Sequence, residues 1–277
     1  MKSHQHHYYL HQNESLVISG YTPTSPNQSK TAVIWAPGAL GAGDLGERTF
    51  PTIALEKQIA FFYPDYYGSF RSSGSFTIKN CVQTILDTID ALRNNKLKRA
   101  HHNALEDTTE TYTNILCVFS SFAGWIPWWI HHHMADHPLL PHLQNIAWHC
   151  PLLDIERQAN GEFPGEESLS EFLFLGQTVF AETYRGIEQL QWREFLGAKD
   201  PSLIPLQQLV SLTECHTSIV HGTKDHVISH TRSVEVYKKL TALGGGIHHL
   251  HLLPGMGHGG PEMEQQAIVK YINDFSL

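Results

Sequence analysis

The sequence predicts an α/β protein, a mainly parallel eight-stranded sheet with an antiparallel N-terminal hairpin and helices on both faces. Two observations carry this. Short runs rich in β-branched and aromatic residues are mostly apolar, which suits strands buried on both faces. Between them lie stretches whose apolar residues recur at helical spacing.

In chain order, HHYYLHQ and SLVISGY (6–12 and 15–21), joined by Asn13-Glu14, read as the hairpin, and TPTSPNQSK (22–30) as the turn-rich segment after it. The buried strands follow as TAVIWAP (31–37), IAFFYPD (59–65), NILCVFS (114–120), NIAWHC (145–150), TSIVHG (217–222) and HLHLLPG (249–255). In SFTIKNCVQTILDTIDALR (75–93), Val82, Ile85, Leu86, Ile89 and Leu92 share one helical face. RSVEVYKKLTAL (232–243) and PEMEQQAIVKYINDF (261–275) are likewise amphipathic. Two segments break the alternation. Residues 96–113 are polar and read as an exposed loop. Residues 155–214 carry Phe163, Phe172, Phe174, Phe180 and Tyr184, aromatics that need burial, so they read as a cap inserted after the sixth strand of a single domain spanning 1–277.

A hydrophobic fraction of 41% and a charged fraction of 17% belong to a soluble globular chain, and a net charge of −8 argues against nucleic acid as a partner. The N-terminus lacks the apolar core of a signal peptide, and no apolar run reaches the roughly 18 residues of a membrane span. Cys81, Cys117, Cys150 and Cys215 form no CxxC pair, so buried thiols in the cytoplasm are expected. Among 20 histidines, His133 and His137 have the i, i+4 spacing of a helical zinc site. No third ligand is placed beside them, and solvated or partly buried imidazoles are the expected reading.

Acyl transfer by a serine needs an exposed hydroxyl, a histidine to take its proton, a carboxylate to orient that histidine, and amides for the oxyanion. In a parallel sheet such groups sit in loops at the C-terminal strand ends. In CVFSSFAGW (117–125), Ser121 is the candidate nucleophile, with small Ala123 two residues on. The frame on Ser120 places Val118 and Phe122 at those flanking positions and fits less well. Asp225 in SIVHGTKDHVI is the candidate acid, with Asp154 after CPLL in reserve. His258 in HLLPGMGHGGPE is the candidate base. WAPGALGAG follows the first parallel strand, where amides of Ala39 or Leu40, with that of Phe122, could meet an oxyanion. The order Ser, Asp, His, each after its own strand, is that of one hydrolase class.

With these motifs the chain resembles the α/β-hydrolases over nearly its whole length, through VIWAPGALG, YPDYYGSFRSSGSF, SSFAG, HGTKDHVI and PGMGHGG. It is most similar to the small cytosolic serine esterases and acyl-aminoacyl-peptidase-like hydrolases. The resemblance implies a catalytic Ser121, Asp225 and His258, no metal or organic cofactor, and hydrolysis of a small or medium ester or thioester through an acyl-enzyme. The chain departs from the family pattern in three places. Phe119 replaces the first elbow glycine, Pro37 stands where the oxyanion loop has histidine, and Trp125 and Pro127 crowd the following helix, which Pro127 should kink or delay. The competing class is a protein of this fold that has lost catalysis and acts in binding, with Phe119 as its support. A dinucleotide site on Gly41, Gly43 and Gly46 with Asp65 is a further alternative, but its glycines start several residues past the strand end where a nucleotide turn begins.

Overall fold

The computed structural model describes residues 5–11, 15–23, 30–39, 44, 50–101, 104–160, 162, 178, 182–187, 189–197, 199–200 and 211–277. Strands β1 (Gln5–His11) and β2 (Ser15–Tyr21) form the expected hairpin. They are followed by β3 (Thr31–Ala36), helix α1 (Phe50–Glu56), β4 (Ala60–Pro64) and helix α2 (Ile78–Arg93). The Thr77 hydroxyl caps α2 by accepting the Asn80 N–H at 3.1 Å. Next come β5 (Lys98–His101), β6 (Ala104–Asp107), β7 (Asn114–Ser120), helix α3 (Ile126–His133), β8 (Asn145–His149) and helices α4 (Ile155–Ala159) and α5 (Gln189–Leu196). The chain closes with β9 (His216–Gly222), α6 (His230–Leu243), β10 (His248–Leu253) and α7 (Pro261–Asp274).

Among the described residues the sheet has ten strands, in the order β10-β9-β8-β7-β3-β4-β2-β1-β5-β6, rather than the expected eight. The six from β10 to β4 run parallel. The extra pair is the hairpin β5–β6, which occupies the segment expected to be a loop and pairs with β1. All of β6 is exposed, so neither face supplies the apolar alternation by which a strand is recognised. Backbone pairing and opposite charges across the strands hold it instead, Lys98 to Asp107 at 3.4 Å and Arg99 to Glu106 at 3.6 Å.

The parallel strands bury alternate residues in two cores. Ile34, Phe62, Cys117, Phe119 and Trp148 face α2, α3 and α6, while Val33, Trp35, Phe61 and Val118 face α1 and α7. Phe119 therefore does not crowd the turn that follows β7. Strand alternation turns its fully buried ring into the first core, and its neighbour in the β3 register is the small Ala36. Pro127 acts on the next helix as expected. A 3₁₀ turn over Ser121–Trp125 precedes α3, and Pro127 lies in that helix's first turn, where an N–H would have no intrahelical partner.

Because Phe119 is a core residue, Phe119→Gly, which restores the family's usual small residue, should destabilise the fold by about 3–5 kcal/mol in urea denaturation. A variant as stable as wild type would contradict this placement.

Candidate functional site

At the end of β7 the chain must reverse sharply, and Ser121 does so with a φ of 49°. A left-handed conformation is uncommon for a residue with a Cβ and is held only where its surroundings over-determine it. They do so here. The Ser121 carbonyl accepts the Leu152 N–H at 2.8 Å, and the Trp148 indole N–H donates to the Gly124 carbonyl at 2.9 Å. The turn after β3 approaches from the other side, where a Cβ added to Gly38 would lie 2.9 Å from the Ser121 Cβ. Tyr66 fixes that turn by donating to the Pro37 carbonyl at 2.8 Å.

The Ser121 hydroxyl lies 2.8 Å from Nε2 of His258, whose Nδ1 lies 2.7 Å from Oδ2 of Asp225. With Nδ1–H donating to the carboxylate, Nε2 carries the lone pair that accepts the serine proton. The structure thus brings together the three side chains expected from three separate loops. Gly222 makes this possible, since a Cβ there would collide with the carbonyl oxygens of Met256 and Gly257 in the His258 loop. The two loops are also tied directly, Lys224 N–H to the Met256 carbonyl at 2.8 Å.

Asp225 is saturated with donors. Oδ1 accepts the Val227 and Ile228 amides at 2.8 and 2.9 Å, and Oδ2 accepts from His221 Nε2 at 3.0 Å as well as from His258. Burial opposes its ionisation, but the hydrogen bonds from His221 and His258 outweigh that and hold the carboxyl well below the usual carboxylate range. The sequence reading missed His221. It sits inside the apolar run SIVHG, where a strand residue is the natural assignment, and only its spacing of four to Asp225 hinted at a shared turn.

The other candidates fall elsewhere. Ser120 Oγ faces His149 Nδ1 at 3.2 Å rather than His258. Asp154 caps α4, accepting the Arg157 N–H at 3.1 Å. Ala39 lies half-buried in the turn after β3, and Phe122 directly follows the nucleophile candidate with its ring buried. Leu40, Gly41, Gly43 and Gly46 lie outside the described residues, as do Phe163, Phe172, Phe174 and Phe180. Asp65 is buried against the Arg71 guanidinium at 2.7 Å. His137 lies beyond the end of α3, so it does not share a helical face with His133, and its Nδ1 accepts the Leu139 N–H at 3.3 Å. Among the described residues the one group of His, Cys and Asp close enough to hold an ion is Cys150, His221 and Asp225, within 4.8 Å of one another. Its donor set is closed, because burial pushes the Cys150 thiol up and keeps it protonated while His221 turns its N–H to Asp225. All four cysteines are buried and none forms a disulfide.

Part of the segment 155–214 packs against the loop after β4 and the ring of Phe122. Residues 183–185 pair with the loop after β4, Phe70 N–H to the Thr183 carbonyl at 2.9 Å and Arg185 N–H to the Gly68 carbonyl at 2.7 Å. Trp192 of α5 stacks on Phe76 at 5.0 Å and lies 5.6 Å from the Phe122 ring.

No protein-family model matches the chain, and no curated protein matches it in sequence. Solved structures do match. Est1E from Butyrivibrio proteoclasticus, with ferulic acid bound, is similar at 17% identity and a TM-score of 0.64, covering 97% of this chain and 99% of its own. DcsB in complex with its substrate analogue is similar at 12% identity and a TM-score of 0.65, covering 98% and 99%. The Pyrococcus furiosus esterase Pf2001 is similar at 12% identity and a TM-score of 0.62, covering 98% and 92%. Likeness of this extent at such identities establishes the fold: the chain has the α/β-hydrolase fold. Among the described residues no helix is long and apolar enough to cross a membrane.

A depressed Asp225 carboxyl has a consequence for stability against pH. Its folded pKa lies below the unfolded value of about 3.9, so its ionised form stabilises the fold fully above that value, and the contribution is lost as pH falls toward the folded pKa. Wild type should therefore lose stability relative to Asp225→Asn below about pH 4. Thermal melts of both proteins from neutral to acid pH measure this, and a difference independent of pH would contradict it.

Proposed function

We propose that the protein is a serine hydrolase of small or medium carboxylic esters, or thioesters, working through an acyl-enzyme on Ser121. The observation that carries the reading is the continuous chain from Ser121 Oγ through His258 to Asp225, at 2.8 and 2.7 Å, built on a serine with a φ of 49°. Hydrogen bonds of this length at a strained, loop-clustered turn match what acyl transfer requires.

In this mechanism His258 Nε2 takes the Ser121 proton as Oγ attacks the substrate carbonyl carbon. The tetrahedral oxyanion is met by backbone amides, those of Phe122 and of Ala39 or Leu40. Asp225 holds the His258 tautomer and stabilises the imidazolium that forms. The proton then passes to the departing alcohol or thiol, and the C–O or C–S bond breaks. Water, deprotonated by the same nitrogen, then attacks the acyl carbon, the bond to Oγ breaks, and Nε2 returns the proton to Ser121 as the acid leaves.

The insert at 155–214 acts as a cap on the single domain 1–277. Its described part buries Tyr184 and Trp192 against Phe76 and Phe122, the residue after Ser121, and that apolar surround supports an apolar acyl or aryl group. The ferulic acid held by Est1E, an aryl acid, is in keeping with that preference. Buried thiols without disulfides fit the reducing cytoplasm.

A fluorophosphonate probe should label wild type and Ser120→Ala and fail to label Ser121→Ala. Labelling that survives Ser121→Ala would remove the assignment, and an unlabelled, folded wild type would favour a binding role. With chromogenic esters, His258→Ala should lower kcat/KM by about 10⁴-fold, since members of a triad act as a unit.

A further inference from the structure

The Asp225 carboxylate carries a second imidazole that the mechanism above does not use. His221 is completely buried on β9, and its two ring nitrogens face different partners. Nε2 lies 3.0 Å from Asp225 Oδ2 and 3.0 Å from the Ile228 carbonyl oxygen. Both are acceptors when the carboxyl is ionised, so Nε2 bears the proton. Nδ1 lies 2.7 Å from the Ser233 hydroxyl of α6, which can donate to its lone pair. The two acceptors at Nε2 set the tautomer and Ser233 holds the ring at its other nitrogen, so a chain of hydrogen bonds runs from Ser233 through His221, Asp225 and His258 to Ser121.

We infer that His221 is a positioning residue for the hydrolysis proposed above: its Nε2–H locks the Asp225 carboxylate in the rotation that aims Oδ2 at His258. This rests on reading Ser121, His258 and Asp225 as the reacting unit. A carboxylate held only by the Val227 and Ile228 amides on Oδ1 can swing about its Cβ–Cγ bond, carrying Oδ2 away from the imidazole. The second imidazole removes that freedom without occupying the direction His258 needs. Without it, Oδ2 turns from His258 Nδ1–H, and the imidazolium formed in the reaction loses part of its counter-charge.

The other titratable groups at this cluster are weaker or more distant. Burial keeps the Cys150 thiol neutral, and its S–H, a weaker donor than an imidazole N–H, also faces Asp225. The His230 ring of α6 lies 6.4 Å from that of His221, centroid to centroid. Arg232 of the same helix is turned to the Asp154 carbonyl.

The test compares two amides of different reach. Gln places its nitrogen three bonds beyond Cβ, where His221 Nε2 sits, whereas the Asn nitrogen stops at the place of Nδ1 and cannot reach Asp225. His221→Asn should lower kcat about ten- to a hundredfold, well short of loss of the base itself, with KM nearly unchanged. It should also move the acid limb of the kcat/KM profile down by about half a pH unit or more. His221→Gln should recover most of kcat and return the limb toward its wild-type position. A residue needed only for packing would lower the melting temperature and leave the limb in place. An Asn variant with the wild-type limb, or a shift that Gln does not reverse, overturns the proposal. Should the Asn variant not fold, Ser233→Ala, which releases the His221 ring at Nδ1 and so loosens its hold on Asp225, should move the limb the same way by a smaller amount, and an unmoved limb there overturns it. Probe labelling of wild type at Ser121 is run alongside. Its failure sinks the hydrolase reading, whereas normal labelling with unaltered His221 variants sinks only the role of His221.

Discussion

The left-handed backbone at Ser121 is the constraint on which the rest of the site depends. A residue with a Cβ held there costs on the order of 1–3 kcal/mol, so the turn exists only because other groups make the alternatives worse. The parallel pairing of β7 between β3 and β8 delivers the chain to that point, and the Leu152 amide takes the Ser121 carbonyl. Trp148 ties down Gly124 one turn later. If that framework relaxed, the hydroxyl would point back along the strand, and the histidine 2.8 Å away would have nothing to accept from.

Charge at the site is arranged by saturation rather than by exposure. Asp225 is buried, an unfavourable place for a carboxylate, and is made tolerable by two amides and two imidazoles converging on its oxygens. Two of the donors come from the acid's own loop, while the imidazoles come from β9 and from the loop after β10. The geometry of the acid is therefore a property of the packed loops together. The close backbone approach at Gly222 is what keeps them in register.

Much of this was legible in the sequence, and the exceptions have physical causes. Strands buried on both faces declare themselves as continuous apolar runs, so β3, β4 and β7 to β9 were readable, and the partly exposed edge strand β10 by its leucines, and with them the loops carrying Ser121, Asp225 and His258. The pair β5–β6 was not, because a strand without a buried face has no apolar period and looks like any polar loop. Phe119 looked like an obstruction because the motif counts residues along the chain. In the folded strand, alternation sends the ring to a core that has Ala36 beside it. His221 was hidden by the opposite effect: an imidazole in an apolar run gives no sign of which loop its nitrogens will meet.

The polar hairpin has a meaning for the molecule as a whole. Without it, β1 would end the sheet with a free row of amides and carbonyls, a template for pairing with other chains. The hairpin moves that boundary outward to a four-residue strand carrying Glu106 and Asp107, short and repulsive to its own copies. At the far boundary β10 presents His249 and His251, each partly exposed beside Asp274. The two margins of the sheet are therefore guarded by different chemistry, one by ion pairs across a short polar hairpin and the other by imidazoles set against a carboxylate. A chain approaching edge to edge would have to displace a different set of polar contacts on each side.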